Sequence, residues 1–152
     1  VNENRTPDGS ARLKALLKET GLKSTRLDAR RRLVSFRGQT REWSFVAGLN
    51  NNWLHIHTYV CEIPDAAGLR GELLDVAMTA NKAMSLTKFS KSNGLVLELE
   101  YREEHLDTRV LGNLFALAMG NAEEYYPRLF RIVSGDAVLA KLSSGAREST
   151  AS

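Results

Sequence analysis

His55 and His57 occupy alternate positions in an apolar run, so on an extended strand both imidazoles stand on one face. Metal centres on sheets use that spacing. If the segment from Leu95 lies beside this one, Glu98 and Glu100 fall opposite and complete a set of two imidazoles and two carboxylates. The same pairing has an ordinary use, because cross-strand His and Glu stabilise an exposed sheet face by a few tenths to about 1 kcal/mol. A further histidine in a ligand-like repeat is missing, since His105 falls in the turn before the last helix. The polar-face reading therefore leads, and no metal or cofactor is expected. Cys61 shares the parity of the two histidines, but four residues of strand separate it from His57 by roughly 13 Å, too far for a thiol–imidazole pair. A half-buried structural thiol is the expectation. No serine sits in a Gly-x-Ser-x-Gly elbow, and Gly68 with Gly71 makes no phosphate loop. With no catalytic residue to name, the chain reads as a protein that is not an enzyme.

The other chemistry-bearing feature is charge. The formal net charge is +3, but residues 1–50 hold 11 Lys and Arg against 5 Asp and Glu, leaving 10 against 13 for the remainder. Lys23, Arg26, Arg30, Arg31, Arg32, Arg37 and Arg41 form the densest stretch, opposed only by Asp28. Such a run can track phosphates or meet an acidic partner. The plainer reading is a solvated loop and strand edge, where charge also blocks unwanted edge pairing. Phe36, Trp43 and Phe45 lie near the arginines, yet strand parity assigns Trp43 and Phe45 to the most apolar face, as core and not as base-stacking platforms. Nucleic-acid binding is thus the minor alternative, through phosphates with little sequence preference.

The elements that must position these residues follow from periodicity. Residues 1–9 are polar; Asp8 or Ser10 can cap a helix carrying Leu13, Leu16 and Leu17, and Gly21 supplies its left-handed stop. From Arg32 the period becomes two: Val34 and Phe36, then Trp43, Phe45, Ala47 and Leu49 on one strand face, then a strand over 53–63 after the Asn50-Asn51-Asn52 turn. In that strand Leu54, Ile56 and Val60 oppose His55, His57, Tyr59 and Cys61; both sides are partly apolar, as in a central strand covered on each face. Asp65 is a plausible N-cap for a helix marked by Leu69, Leu73, Val76, Ala77, Ala80 and Met84. Its frequent small residues permit close approach by a sheet or by a second copy of the helix. Leu86 to Lys91, the turn Ser92-Asn93-Gly94 and Leu95 to Arg102 form a hairpin on the strongest short turn signal. A last helix opens at Asp107 and meets Pro127, which should kink or restart it.

The stretch from Trp43-Ser44-Phe45-Val46 through Ala80-Asn81-Lys82 and Ser92-Asn93-Gly94-Leu95-Val96-Leu97-Glu98 to Tyr125-Tyr126-Pro127 resembles the YbjN family, whose fold is similar to that of class I type III secretion chaperones. The resemblance rests on element order and hairpin placement. It implies an α+β domain ordered helix–three strands–helix–two strands–helix, with a twisted antiparallel sheet, helices packed mainly on one face, and association into homodimers. Secretion chaperones of this fold hold extended client segments along their surfaces. They are typically acidic, and the net charge of +3 departs from that pattern.

The expectation is one domain over residues 8–135, with flexible ends at 1–7 and 143–152. It is a non-enzymatic homodimer that holds a polypeptide client, with His55, His57, Tyr59, Arg30, Arg31 and Arg32 as the candidate partner-binding residues. A basic regulator touching nucleic-acid phosphates is the alternative, and a metal-dependent enzyme on the His55/His57 face stands behind both. No apolar run approaches the roughly 20 residues that cross a bilayer, so no membrane partner is expected. Cytoplasmic placement is the expectation, with a removed leader left open because the chain begins at Val1.

Overall fold

The period-two alternation of residues 31–61 is realised as a run of antiparallel strands in a computed structural model that describes residues 9–149, with side chains through residue 135. Helix α1 spans Gly9–Glu19, and the strands β1 (Ser24–Arg26), β2 (Arg31–Arg37), β3 (Glu42–Asn50) and β4 (Trp53–Cys61) follow as a meander. Helix α2 (Ala67–Ala83) crosses to the hairpin β5 (Thr87–Ser92) and β6 (Gly94–Arg102), and a 3-10 turn at Glu103–His105 leads into α3 (Thr108–Ser149). The sheet has the order β1-β2-β3-β4-β6-β5, with every neighbouring pair antiparallel.

This is the expected α+β order with one addition, β1. Its residues pair Ser24 with Val34 and Arg26 with Arg32, which makes it a short edge strand. A short edge strand is one way to keep a sheet from pairing with other chains.

One sheet face carries the core. Trp43, Phe45, Ala47 and Leu49 of β3, Leu54, Ile56 and Val60 of β4, and Leu95, Leu97 and Leu99 of β6 are all buried. Leu13 and Leu17 of α1, Leu73, Val76, Ala77 and Ala80 of α2, and Leu111, Leu114, Phe115, Ala118 and Ala122 of α3 close over them. Phe115 meets Phe45 edge to face at 6.0 Å between ring centres, and Phe36 meets Phe45 the same way at 5.7 Å. Such pairs add to area burial because ring edges and faces carry opposite partial charge.

Local chemistry ends and joins these elements. Gly21 (φ +76°) stops α1, with Leu22 N–H donating to the Leu17 carbonyl and Gly21 N–H to that of Lys18. Asn51 and Asn52 take the left-handed angles expected of the β3–β4 turn. Asp107 caps α3 by accepting from Val110 N–H at 2.8 Å. At α2 the expected Asp65 cap is replaced by Ala66, which makes no side-chain cap bond. The guanidinium of Arg70 instead donates to the carbonyls of Pro64 and Asp65, at 3.2 and 2.7 Å. Ser10 lies inside α1, and Asp8 lies outside the described residues.

Pro127 does not restart the last helix; α3 is assigned continuously through it. Losing one N–H costs a bond, but Ala122 before it and Leu129 and Ile132 after it are all buried in the one core, so both sides of the proline are held by packing. The ends expected to be flexible fall outside the described residues, apart from the helical backbone of 143–149.

The β2–β3 turn is tied to α3 by Glu123. Its carboxylate accepts from the buried Trp43 Nε1 at 2.6 Å and from Thr40 N–H at 2.9 Å. Burial pushes this carboxyl up, but the hydrogen bonds from Trp43 and Thr40 outweigh it and hold the group below the usual carboxylate range. Gly38 leaves room for it, because a Cβ there would displace the carboxylate and crowd the Arg41 carbonyl.

Candidate functional site

The second face of the sheet is where the candidate residues gather. Strand parity sends Val46, His55, His57, Tyr59, Val96 and Glu98 away from the helices, and no helix among the described residues packs on that side. The floor is half apolar. Val46 and Val96 are partly buried, Tyr59 is 43% exposed, and the Tyr59 ring lies where a side chain at Gly94 (φ +136°) would have to go. Two cavities share Val46 and His57 and so form one concave strip. One, of about 390 Å³, lies under the 28–31 loop against His55; the other, of about 740 Å³, runs over Val96 and Tyr59 toward the β5–β6 turn. Central coverage of β4 on both faces, expected from its apolar content, is therefore found on one face only among the described residues.

Register places His55 opposite Glu100 and His57 opposite Glu98, as the cross-strand reading requires. His55 Nδ1 lies 3.6 Å from Glu100, while Glu98 is engaged by Lys88 Nζ at 3.5 Å. Among the described residues no three His, Cys, Asp or Glu side chains group as a metal site. His57 is held below the ordinary imidazole value by burial, then by the positive charge of Arg31, with Glu98 working the other way. It is thus a neutral donor and acceptor at neutral pH. Burial likewise raises the Tyr59 phenol above its usual range, with Glu62 adding to the effect.

Cys61 does not share the histidine face. The β4–β6 register shifts between Tyr59 and Cys61, so Val60 and Cys61 are both buried on the core side. Burial pushes the thiol up to about 11, against the weaker opposing pull of Arg41. A thiol in that state is no nucleophile at neutral pH.

The arginine run is split by the strand. The Asp28 carboxylate accepts from the backbone N–H of Arg30 and Arg31 and from Arg31 Nε, at 2.9, 2.8 and 2.6 Å, and folds the loop over the edge of the strip. Those bonds, the Arg30 amide first, hold the Asp28 carboxyl below the usual range. Arg30 and Arg31 are exposed and line the smaller cavity. Arg32 departs from the expected group: it is 7% exposed, points to the helix side with Val34, and donates Nε to Ser24 Oγ at 2.7 Å. Of the candidate partner-binding residues, His55, His57, Tyr59, Arg30 and Arg31 gather on this face, and Arg32 does not.

Val46 and Val96 are the floor residues that reading polar positions misses. Their signal was present, as two valines among the polar positions Glu42, Ser44, Glu98 and Glu100 of an outward face.

The α+β arrangement of three helices and a six-stranded antiparallel sheet is a fold this chain shares with YbjN and with type III secretion chaperone complexes. In particular, the chain is similar to YbjN from E. coli, with TM-score 0.59, 11% identity, and coverage of 79% of this chain and 93% of that one. It is similar to the structure of the ExsC–ExsE complex at TM-score 0.57 and 15% identity, covering 80% and 96%. The HopA1–SchA chaperone–effector complex gives TM-score 0.49 at 11% identity, covering 76% and 92%. No protein-family model and no curated protein matches the sequence.

Proposed function

We propose that this protein is a non-enzymatic, dimeric domain that holds an extended polypeptide segment on the open face of its sheet. The observation that carries the reading is the concave strip over Val46, His57, Tyr59 and Val96, a half-apolar floor with polar edges that no described helix covers. An extended client would lay alternate side chains into the two cavities, while His55, His57 and the Arg30/Arg31 loop supply hydrogen-bonding and charged edges. The ExsC–ExsE complex shares the fold and supports a protein partner. The buried Cys61, with its raised thiol value, and the engagement of Glu98 by Lys88 support a surface that binds without reacting. Among the described residues no helix is long and apolar enough to cross a membrane.

Dimerisation is assigned to the exposed side of α2 and the neighbouring strand surface. Met78 is 68% exposed there, and Gly68 and Gly71 have open space where a Cβ would stand. Light scattering at micromolar concentration should report twice 16.9 kDa, and a clean monomer would remove the dimer.

The nucleic-acid reading gains no support on the Arg30/Arg31 side, because Trp43 and Phe45 are fully buried in the core and offer no stacking surface. Binding on the strip is tested by proteins that co-purify from the native host. A client retained by the parent should be lost from a Val46→Asp variant that keeps the parent melting temperature. Equal retention by that variant would move the client off this face.

A further inference from the structure

The cations of the N-terminal third regroup in three dimensions, on the side of the sheet away from the strip. Lys14 and Lys18, one turn apart on α1, converge with Lys23 and Arg32 around a cleft of about 540 Å³ between α1 and β1. No carboxylate lines this cleft, and none of these four side chains makes an ion pair among the described residues. Arg26 adds to the imbalance. It stands directly across the β1–β2 ladder from Arg32, a like-charge juxtaposition that ordinarily destabilises a sheet.

Arg32 is the unusual member. It is 7% exposed, and buried guanidinium groups are normally matched by a carboxylate. Among the described residues its partners are neutral: Nε donates to Ser24 Oγ at 2.7 Å and Nη2 to the Ser24 carbonyl at 3.3 Å. Those two bonds fix the plane of the group. The remaining nitrogen, Nη1, has no partner among the described residues, and no fully buried polar side-chain atom there is left unsatisfied, so Nη1 opens to the cleft. A rigid fork with a spare donor, sharing one cleft with three lysines, suits an anion.

We propose that this cleft binds a small polyphosphate, two or more adjacent phosphate groups held by Arg32, Lys14, Lys18 and Lys23. The charge density decides the class. A single carboxylate would leave most of the four cations unmatched, whereas adjacent phosphates carry several charges within one cleft. A single-stranded nucleic acid would need stacking aromatics along its path, and none lines this site. Leu22, Thr25 and the lysine stems give the cleft apolar walls, which accommodate an organic body attached to the phosphates. The site is independent of the strip and stands or falls without it.

Isothermal titration with sodium tripolyphosphate, and separately with ATP, tests the proposal on the full chain at constant ionic strength. One saturable site is expected for tripolyphosphate, with affinity reduced about tenfold or more in a folded Lys18→Gln, Lys23→Gln double variant. Tighter binding of ATP would assign the natural ligand to nucleotides, and weaker binding would assign it to free polyphosphate. Heat no greater than that of matched sodium chloride, or unchanged affinity in the double variant, would overturn the site. So would a single-stranded oligonucleotide that binds far more tightly than either probe. Arg32→Lys keeps the charge and loses the fork; if that variant melts near the parent yet binds as tightly, Arg32 is not the anchor.

Discussion

The two faces of one sheet are built from the same strands, and they differ in what finishes them. On the covered face Trp43, Phe45, Leu54, Ile56, Leu97 and Leu99 are each at most 2% exposed, and three helices close over them. One residue along, Val46, His55, His57, Val96 and Glu98 are left half-buried by their own neighbours. Half-burial without a covering element means that a partner can still remove apolar area from water. The covered face holds the fold together, and the open face is free to change without unfolding it.

That contrast is broken most forcefully from the covered side. Phe45→Ala should cost about 3–5 kcal/mol in urea unfolding, through lost transfer energy and the cavity left among Phe36, Phe115 and α3. A loss below about 1 kcal/mol would mean that the helices do not pack as described.

Next in size is the Glu123 tie. Glu123→Ala leaves the Trp43 indole N–H buried without a partner, at a cost of about 1–3 kcal/mol. Because the folded carboxyl lies below its unfolded value of 4.5, its contribution is present above that pH. It is lost as pH falls through the folded value. A pH–stability curve of the variant should accordingly approach the parent's in acid, and a constant gap down to strongly acidic pH would contradict the tie.

The arginines sharpen the comparison within three consecutive residues. Arg30→Gln with Arg31→Gln should change stability by no more than about 0.5 kcal/mol, as exposed charges do. Arg32→Gln on the covered side should cost about 1 kcal/mol or more through the Ser24 bonds. Equal effects, read by thermal melting, would erase the distinction between the faces.

The smallest effect belongs to His55→Ala with His57→Ala, which should melt close to the parent at neutral pH. His57 is held below its unfolded value of 6.5, so the unfolded chain binds the extra proton. The parent therefore loses stability as pH falls from above 6.5 toward the folded value, and the variant should lack that slope. Metal analysis of chelator-free protein should return well under one equivalent of zinc, and a stoichiometric metal lost in the variant would revive the metal-enzyme reading.

Much of this was legible because period and turn chemistry act locally. The Asn93-Gly94 hairpin, the left-handed Asn51 and Asn52, and the sorting of Trp43 and Phe45 from Ser44 and Val46 all depend on neighbours within a few residues. What escaped depends on distant ones. Ser24–Arg26 is too short and polar to announce a strand, and becomes one only because β2 offers a ladder. Cys61 changes sides through a bulge that has no compositional mark. Arg32 reads as the third member of an exposed run until its parity with Val34 is joined to Ser24 across the hairpin. The strip was legible at His55, His57 and Tyr59, and missed at Val46 and Val96.

The central claim, that the open face holds a polypeptide, is tested most directly by photo-crosslinking in the native host. A benzophenone amino acid replaces Tyr59 on the strip in one variant and exposed Glu124 on α3 in another. The account predicts a discrete protein adduct at position 59 and none at position 124. An adduct confined to position 124, or none at 59 while the protein still co-purifies with its client, would contradict it.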